Sequence, residues 1–142
     1  MNLLRRCESG PYKRAFSLNS PAIRLECALI CPRSPITSRR FPKSDRLLGP
    51  VDLAALPIGA YAPRWFMQVM HIDPDEAVQI HQDLDARQSV AMHWGTFVLT
   101  DEPLDEPPQR LRRALIAANL SDNDFWVMRH GETRRLQLRD AL

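Results

Sequence analysis

The chain has few of the residues that hold small secreted or membrane proteins together. Its 142 residues include three cysteines, and all of them lie before residue 32: Cys7, Cys27 and Cys31. An odd count with no nearby histidine argues against both a disulfide scaffold and a zinc site built on these thiols. No run approaches the roughly 18 apolar residues of a membrane span, and no secretory signal follows Met1. The expected location is therefore cytoplasmic.

The net charge of +2 hides an uneven distribution along the chain. Up to Pro50 there are ten Lys or Arg against three Asp or Glu, whereas the remainder has nine against fourteen. Five prolines interrupt the first 46 residues, and neither a helical nor an alternating period persists there. We predict an irregular basic segment over residues 1–48, in which the window Pro21–Cys31 could hold one short helix or strand. Few aromatic residues lie among the basic residues of this segment, which disfavours a nucleic-acid partner.

From residue 49 the pattern changes to regular alternation of apolar strands and amphipathic helices, which predicts one α/β domain over residues 49–142 with a parallel or mixed sheet. Asp73, Pro74 and Glu76 form a strong helix start, with N-cap, first helical residue and capping-box acid. We expect Trp65 and Phe66 to pack into the core from a short helix, and a pocket wall near the strand ends is the alternative. The predicted strands are Val51–Leu56, Ser89–His93 and Phe125–Met128, and the predicted helices follow Asp73 and Pro107.

Two histidines are candidates for a site. His93 ends a predicted strand, and ligands gather at the carboxyl ends of strands in open α/β sheets. A histidine there can present a ring nitrogen to a metal or a substrate, although a structural role in the core or a loop is the alternative. His71 lies just before the helix cap and is the second candidate, whereas His81 adjoins the apolar stripe of a helix and is expected to be structural.

The run Arg129-His130-Gly131 resembles the signature of histidine phosphatases, in which the histidine is phosphorylated. In that superfamily the signature follows the first strand and the catalytic domain comes after it. Here only nine residues follow Thr133, so there is no room for the remaining arginine and the second histidine. We therefore reject this interpretation.

Over about three-fifths of its length the chain resembles the C-terminal part of the N-acyl-phosphatidylethanolamine phospholipase D family of metallo-β-lactamase-fold hydrolases. The resemblance rests on several runs in the family's order. They are Gly49-Pro50-Val51-Asp52-Leu53-Ala54, Leu56-Pro57-Ile58-Gly59-Ala60-Tyr61, Pro63-Arg64-Trp65-Phe66-Met67, His71-Ile72-Asp73-Pro74-Asp75-Glu76-Ala77, His93-Trp94-Gly95-Thr96-Phe97, Glu106-Pro107-Pro108 and His130-Gly131-Glu132.

The resemblance implies a role for each candidate residue. His93 matches a ligand of a two-zinc site, and His71 matches a catalytic histidine lining the active pocket. Tyr61, Arg64 and Trp65 fall in the loop where substrate would bind. The implied fold is the C-terminal half of an αβ/βα sandwich, and the implied substrate is a phospholipid or another phosphodiester. Peripheral membrane contact and a homodimer are left open.

The chain departs from the family in its metal ligands. The family's main zinc motif, His-x-His-x-Asp-His, is absent, because the first histidine of this chain is His71. A catalytic zinc needs about three protein ligands, so we expect the chain to be inactive alone. The change in composition near Leu47 suggests a truncated or frame-shifted hydrolase, and a non-catalytic α/β interaction module is the alternative.

Overall fold

The computed structural model describes residues 51–136 and the backbone of three short strands that precede them. The described part of the chain contains six strands and three helices. The strands are β1 (Leu4–Arg6), β2 (Ala15–Asn19), β3 (Arg24–Ala28), β4 (Leu53–Pro57), β5 (Gln88–Met92) and β6 (Phe125–Trp126). The helices are α1 (Arg64–Met67), α2 (Pro74–Asp83) and α3 (Glu106–Ala117). No helix among the described residues is long and apolar enough to span a bilayer.

The strands form one mixed sheet in the order β1-β2-β3-β4-β5-β6. The first three strands pair antiparallel, whereas β4 pairs parallel with β3 and with β5, and β6 pairs parallel with β5. The parallel pairs β4–β5 and β5–β6 are each connected through helices. Parallel neighbouring strands need such long crossover connections. The prediction that the three C-terminal strands share a sheet is therefore confirmed, with shifts of a few residues at their ends.

The strands β1 and β2 were not anticipated from the sequence. β3 lies inside the window Pro21–Cys31, which was expected to hold one short element. The other residues of segment 1–48 lie outside the described part of the chain. The expectation that they are irregular therefore stays a prediction.

One hydrophobic core joins the helices to the inward face of the sheet. Along β5 the side chains alternate, with Ser89 and Ala91 buried and Val90 and Met92 only partly buried. This alternation follows from the two-residue period of a strand, which predicts from the sequence that Val90 and Met92 face away from Ala91. The core combines buried residues of β4, β5 and β6 with those of α2 and α3: Ala54, Leu56, Ala77, Ile80, Ala91, Leu111, Leu115 and Phe125.

The start of α2 matches its prediction in detail. The Asp73 carboxylate accepts a hydrogen bond from the Glu76 amide at 2.9 Å, and the Glu76 carboxylate accepts one from the Asp73 amide at 2.9 Å. Pro74 occupies the first turn, where its missing N–H costs nothing. This capping box fixes the point at which the chain leaves His71 and enters the helix.

His81 is structural, as expected. Its ring is buried on α2, where Nδ1 lies 2.8 Å from Ser89 Oγ on β5 and the ring centroid lies 6.0 Å from that of Phe125. Burial lowers the pKa of His81, because the charged imidazolium would lose its hydration.

The expectation that Trp65 and Phe66 enter the core is wrong. They are 77% and 63% exposed, and α1 contributes no buried residue. This helix makes a single turn, and its first residue, Arg64, points toward α2. Because successive side chains are about 100° apart around a helix, the next two side chains point away from that contact.

Candidate functional site

The loop after β4 and the loop after β5 pack backbone to backbone at the carboxyl ends of their strands. The Ile58 amide donates to the Met92 carbonyl at 3.1 Å. A Cβ added to Gly59 would lie 2.3 Å from the carbonyl oxygen of His93, so a side chain cannot be accommodated there. His93 itself has a φ of +60°, in the left-handed region, and it therefore leaves the strand direction at this point.

His71 and His93 meet above this packed pair of loops. Their ring centroids are 5.3 Å apart with an angle of 34° between the planes. His93 is exposed and His71 is partly buried. Burial lowers the pKa of His71, the nearby charge of His93 lowers it further, and the Glu102 carboxylate opposes both effects. The two candidate histidines therefore lie close together in the fold, while their roles stay predictions.

A cleft of about 270 Å³ opens beside His93. Its polar side chains include His93, Thr96, Thr100 and Glu102. Its apolar side chains include four from the segment that follows β5: Trp94, Phe97, Leu99 and Leu104. The cleft therefore places polar groups and apolar surface within one opening, as small-molecule sites do.

Glu102 is a cleft residue that was not among the candidates predicted from the sequence. Its carboxylate accepts hydrogen bonds from the amides of Ala60 at 2.6 Å and Ala62 at 2.9 Å, and from the Thr100 hydroxyl at 2.7 Å. Burial alone would raise the pKa of Glu102, but these hydrogen bonds to the charged form lower it overall. No local signal marks this residue, because the two backbone amides that it binds lie 42 and 40 positions away.

Tyr61 turns away from the cleft toward α3. Its ring is buried, its hydroxyl donates to Glu106 Oε1 at 2.5 Å, and the Arg110 guanidinium lies 5.0 Å from the ring centroid. Burial and then the Glu106 carboxylate raise the pKa of the Tyr61 phenol. This contact anchors the loop after β4, and substrate binding by Tyr61 stays a prediction.

Arg64 joins α1 to the start of α2. Its Nη2 lies 2.8 and 2.9 Å from the two carboxylate oxygens of Glu76, and its Nη1 donates to the His71 carbonyl at 2.8 Å. Its Nε lies 3.7 Å from Asp73 Oδ2. The guanidinium thus holds the backbone on which His71 sits. The proposed contact of Arg64 with substrate is untested.

Trp65 belongs to an exposed apolar group that we call the α1 patch: Trp65, Phe66, Val69 and Met70. The Trp65 and Phe66 ring centroids are 5.7 Å apart. These residues do not line the cleft beside His93. A substrate-binding role for Trp65 would therefore require a ligand that extends beyond that cleft.

The Arg129-His130-Gly131 run forms a tight turn. Gly131 has a φ of +80°, and the Glu132 carboxylate accepts a hydrogen bond from the Arg129 amide at 2.9 Å. His130 Nε2 lies 3.4 Å from Thr96 Oγ1, and Thr96 lines the cleft. His130 thus approaches the rim of the cleft from the C-terminal side.

The described residues do not fit a complete zinc site. Within residues 51–136, no group of three or more His, Cys, Asp or Glu side chains could hold a metal ion. A catalytic zinc needs about three protein ligands and an open position. The His71–His93 pair would therefore need further ligands from elsewhere.

Comparisons with known proteins find similar sequences over part of the chain. A family profile described as "Beta-lactamase superfamily domain" matches residues 37–94. The chain is 48% identical over 94 residues to N-acyl-phosphatidylethanolamine-hydrolyzing phospholipase D 1 of Caenorhabditis elegans, a match that covers 65% of this chain and 26% of that protein. It is also 48% identical over 59 residues to the mitochondrial N-acyl-phosphatidylethanolamine-hydrolyzing phospholipase D of Saccharomyces cerevisiae, covering 42% of this chain and 13% of that protein.

An uncharacterized Mycobacterium tuberculosis protein is 46% identical over 69 residues, covering 46% of this chain and 18% of that protein. The fold and the matching profile support an α/β fold of the metallo-β-lactamase type for the matched part of the chain. Its predicted resemblance to the C-terminal part of the N-acyl-phosphatidylethanolamine phospholipase D family is confirmed. The chain spans about a quarter or less of the length of these relatives.

Proposed function

We propose that this chain supplies one wall of the active cleft of a zinc-dependent hydrolase that acts on a phosphodiester lipid, and that it is inactive alone. The observation that carries the proposal is the His71–His93 pair, whose rings meet at 5.3 Å at the carboxyl ends of the strands. Two relatives are named as hydrolysing N-acyl-phosphatidylethanolamine, which supports this substrate class. The described residues do not complete a zinc ligand set, so further ligands would have to come from other residues.

Cleft composition supports an amphiphilic substrate. The polar groups of His93, Thr96 and Glu102 would face a phosphodiester headgroup and its counterions. The apolar side chains of Phe97, Leu99 and Leu104 would face hydrocarbon, which is favourable because it removes apolar surface from water. Phe97 is 72% exposed, so a bound hydrocarbon chain would cover surface that is otherwise in contact with solvent.

The test of this proposal is a calorimetric zinc titration of the purified chain and its His93→Ala variant. Weak zinc binding that changes little in the variant is expected, because two imidazoles do not make a catalytic site. The matched control is His130→Ala, which removes an exposed histidine from the turn at the rim. Tight stoichiometric binding that is lost only in His93→Ala would overturn the claim that the chain is inactive alone.

A complementation assay separates a hydrolase part from a non-catalytic module. The chain is mixed with the part of the C. elegans relative that lies outside the matched region, and hydrolysis of N-acyl-phosphatidylethanolamine is followed. Activity that requires both polypeptides and is lost in His93→Ala supports the proposal. Binding between the two without activity would favour the interaction module.

Peripheral contact with lipid is part of the same proposal and is supported by the α1 patch. Exposed aromatic side chains favour the boundary between water and lipid. Co-sedimentation with phosphatidylethanolamine-containing vesicles should fall in the double variant Trp65→Ser, Phe66→Ser. The control is Ile116→Ser, which removes an equally exposed apolar side chain from α3. Equal losses in both variants would contradict a specific role for the patch.

A further inference from the structure

Glu102 makes an unusual set of contacts for a residue in a connecting segment. Its Oε1 accepts from the Ala60 amide and from the Thr100 hydroxyl, and its Oε2 accepts from the Ala62 amide. The two carboxylate oxygens thus bind two backbone amides of one turn, which are two positions apart. Hydrogen bonds to a charged acceptor are stronger than those between neutral groups. A hydrogen bond from the Asp101 amide to the Ala62 carbonyl at 3.3 Å reinforces the same junction.

The turn that Glu102 holds is strained and tightly packed. Ala60 has a φ of +63°, a conformation that residues with a Cβ disfavour, so it persists only where neighbouring contacts fix it. Gly59 precedes it and lies against the His93 carbonyl, with no room for a Cβ. A continuous chain of contacts therefore runs from the Glu102 carboxylate through Ala60 and Gly59 to His93.

The partners of Glu102 explain why a carboxylate is needed at this position. The amides of Ala60 and Ala62 are both donors, and each meets a different oxygen. A glutamine side chain would offer one oxygen and one NH₂ group, so one backbone donor would face another donor. An aspartate side chain is one methylene shorter and would draw the carboxylate away from the turn.

We infer that Glu102 is a positioning residue, which fixes the turn at residues 59–62 beneath His93 and so holds the His93 ring beside that of His71. One part of this inference rests on the proposed function, namely that the histidine pair belongs to an active cleft. The geometric claim concerns the resting chain and needs neither metal nor substrate. Its failure can therefore be distinguished from failure of the proposed function, which is tested by zinc titration and complementation.

The experiment is nuclear magnetic resonance of the full chain carrying Glu102→Gln. Amide exchange at Ala60 or Ala62 should rise by about tenfold or more, as the loss of a charge-assisted hydrogen bond predicts. The cross-peaks between the His71 and His93 ring protons should weaken, and the ring signals of His93 should shift. Amides of the distant core, such as that of Leu111, should keep their exchange rates. This spectroscopic signature separates positioning from a general loss of stability.

The matched control is Asp101→Asn, which removes an exposed carboxylate from the adjacent residue with the same change in net charge. It should leave the histidine ring signals unchanged. Unaltered inter-ring cross-peaks in Glu102→Gln, despite faster exchange at Ala60 or Ala62, would overturn the inference. So would equal ring shifts in Asp101→Asn.

A second variant keeps the test decisive if Glu102→Gln does not fold. Thr100→Val preserves the carboxylate and removes one of its three donors. It should raise exchange at Ala60 and shift the His93 ring signals by a smaller amount. Ring signals identical to those of the unaltered chain would then count against a positioning role.

Discussion

Gly59 lies directly beneath the carbonyl oxygen of His93, where a methyl group would come within 2.3 Å of that oxygen and 3.2 Å of the Trp94 Cα. Both neighbours are backbone atoms, so neither can rotate away as a flexible side chain would. The position of His93 at the end of β5 therefore depends on the absence of a side chain from the loop after β4.

We predict that Gly59→Ala destabilises the chain and displaces His93. Packing an additional methyl group into a filled site costs about 1–3 kcal/mol, and contact with rigid backbone places this variant at the upper end. Urea denaturation measures the loss in free energy of unfolding, and the His93 ring signals report the displacement. The control is Gly131→Ala, whose added Cβ would meet nothing within 4 Å but would be strained by a φ of +80°. Displacement of His93 in the control as well would contradict the steric explanation.

A second prediction concerns Arg64, whose guanidinium contacts Glu76 and the carbonyl of His71. Arg64→Ala should lower the free energy of unfolding by about 2 kcal/mol, because a partly buried carboxylate loses its charged partner. The control is Arg112→Ala, which removes one partner of an exposed ion pair with Asp122 at 3.6 Å and should change stability by less than about 1 kcal/mol. Unchanged stability in Arg64→Ala would show that the observed contacts are not structural and would favour substrate binding alone.

A third prediction concerns pH. Because burial lowers the folded-state pKa of His81 from 6.5, the unfolded chain takes up a proton at a higher pH than the native chain does. The stability contributed by neutral His81 is therefore complete above pH 6.5 and is lost as the pH falls through the folded pKa. Urea denaturation between pH 8 and pH 5 should show this decline, with a slope of up to about 1.4 kcal/mol per pH unit.

The variant His81→Asn isolates this effect, because an asparagine can still bond to Ser89 but does not titrate. Its stability should decline less steeply below pH 6.5 than that of the unaltered chain. The control His130→Asn should retain the full decline, and His71 contributes equally to both variants. Parallel pH profiles for all three proteins would show that His81 is not responsible.

Local signals in the sequence were sufficient for the C-terminal elements. Asp73, Pro74 and Glu76 predicted the start of α2 because an N-cap, a first-turn proline and a capping-box acid satisfy donors only a few residues away. The two-residue period of a strand predicted that Val90 and Met92 face away from Ala91, since a strand turns successive residues to opposite faces. The family resemblance could also be predicted from the sequence, because it rests on short segments that occur in the same order as in the family.

What the tertiary structure alone decided are the contacts between residues distant in sequence. His71 meets His93 across 22 positions, and Glu102 reaches back 40 positions to the Ala62 amide. The sequence alone did not distinguish an Arg64 that contacts substrate from one that contacts Glu76. In the folded chain Arg64 contacts Glu76. Trp65 has the composition of a core residue, but a one-turn helix anchored by Arg64 turns it outward. Periodicity reports only which face of an element is apolar, whereas the packing of whole elements determines which side chains meet.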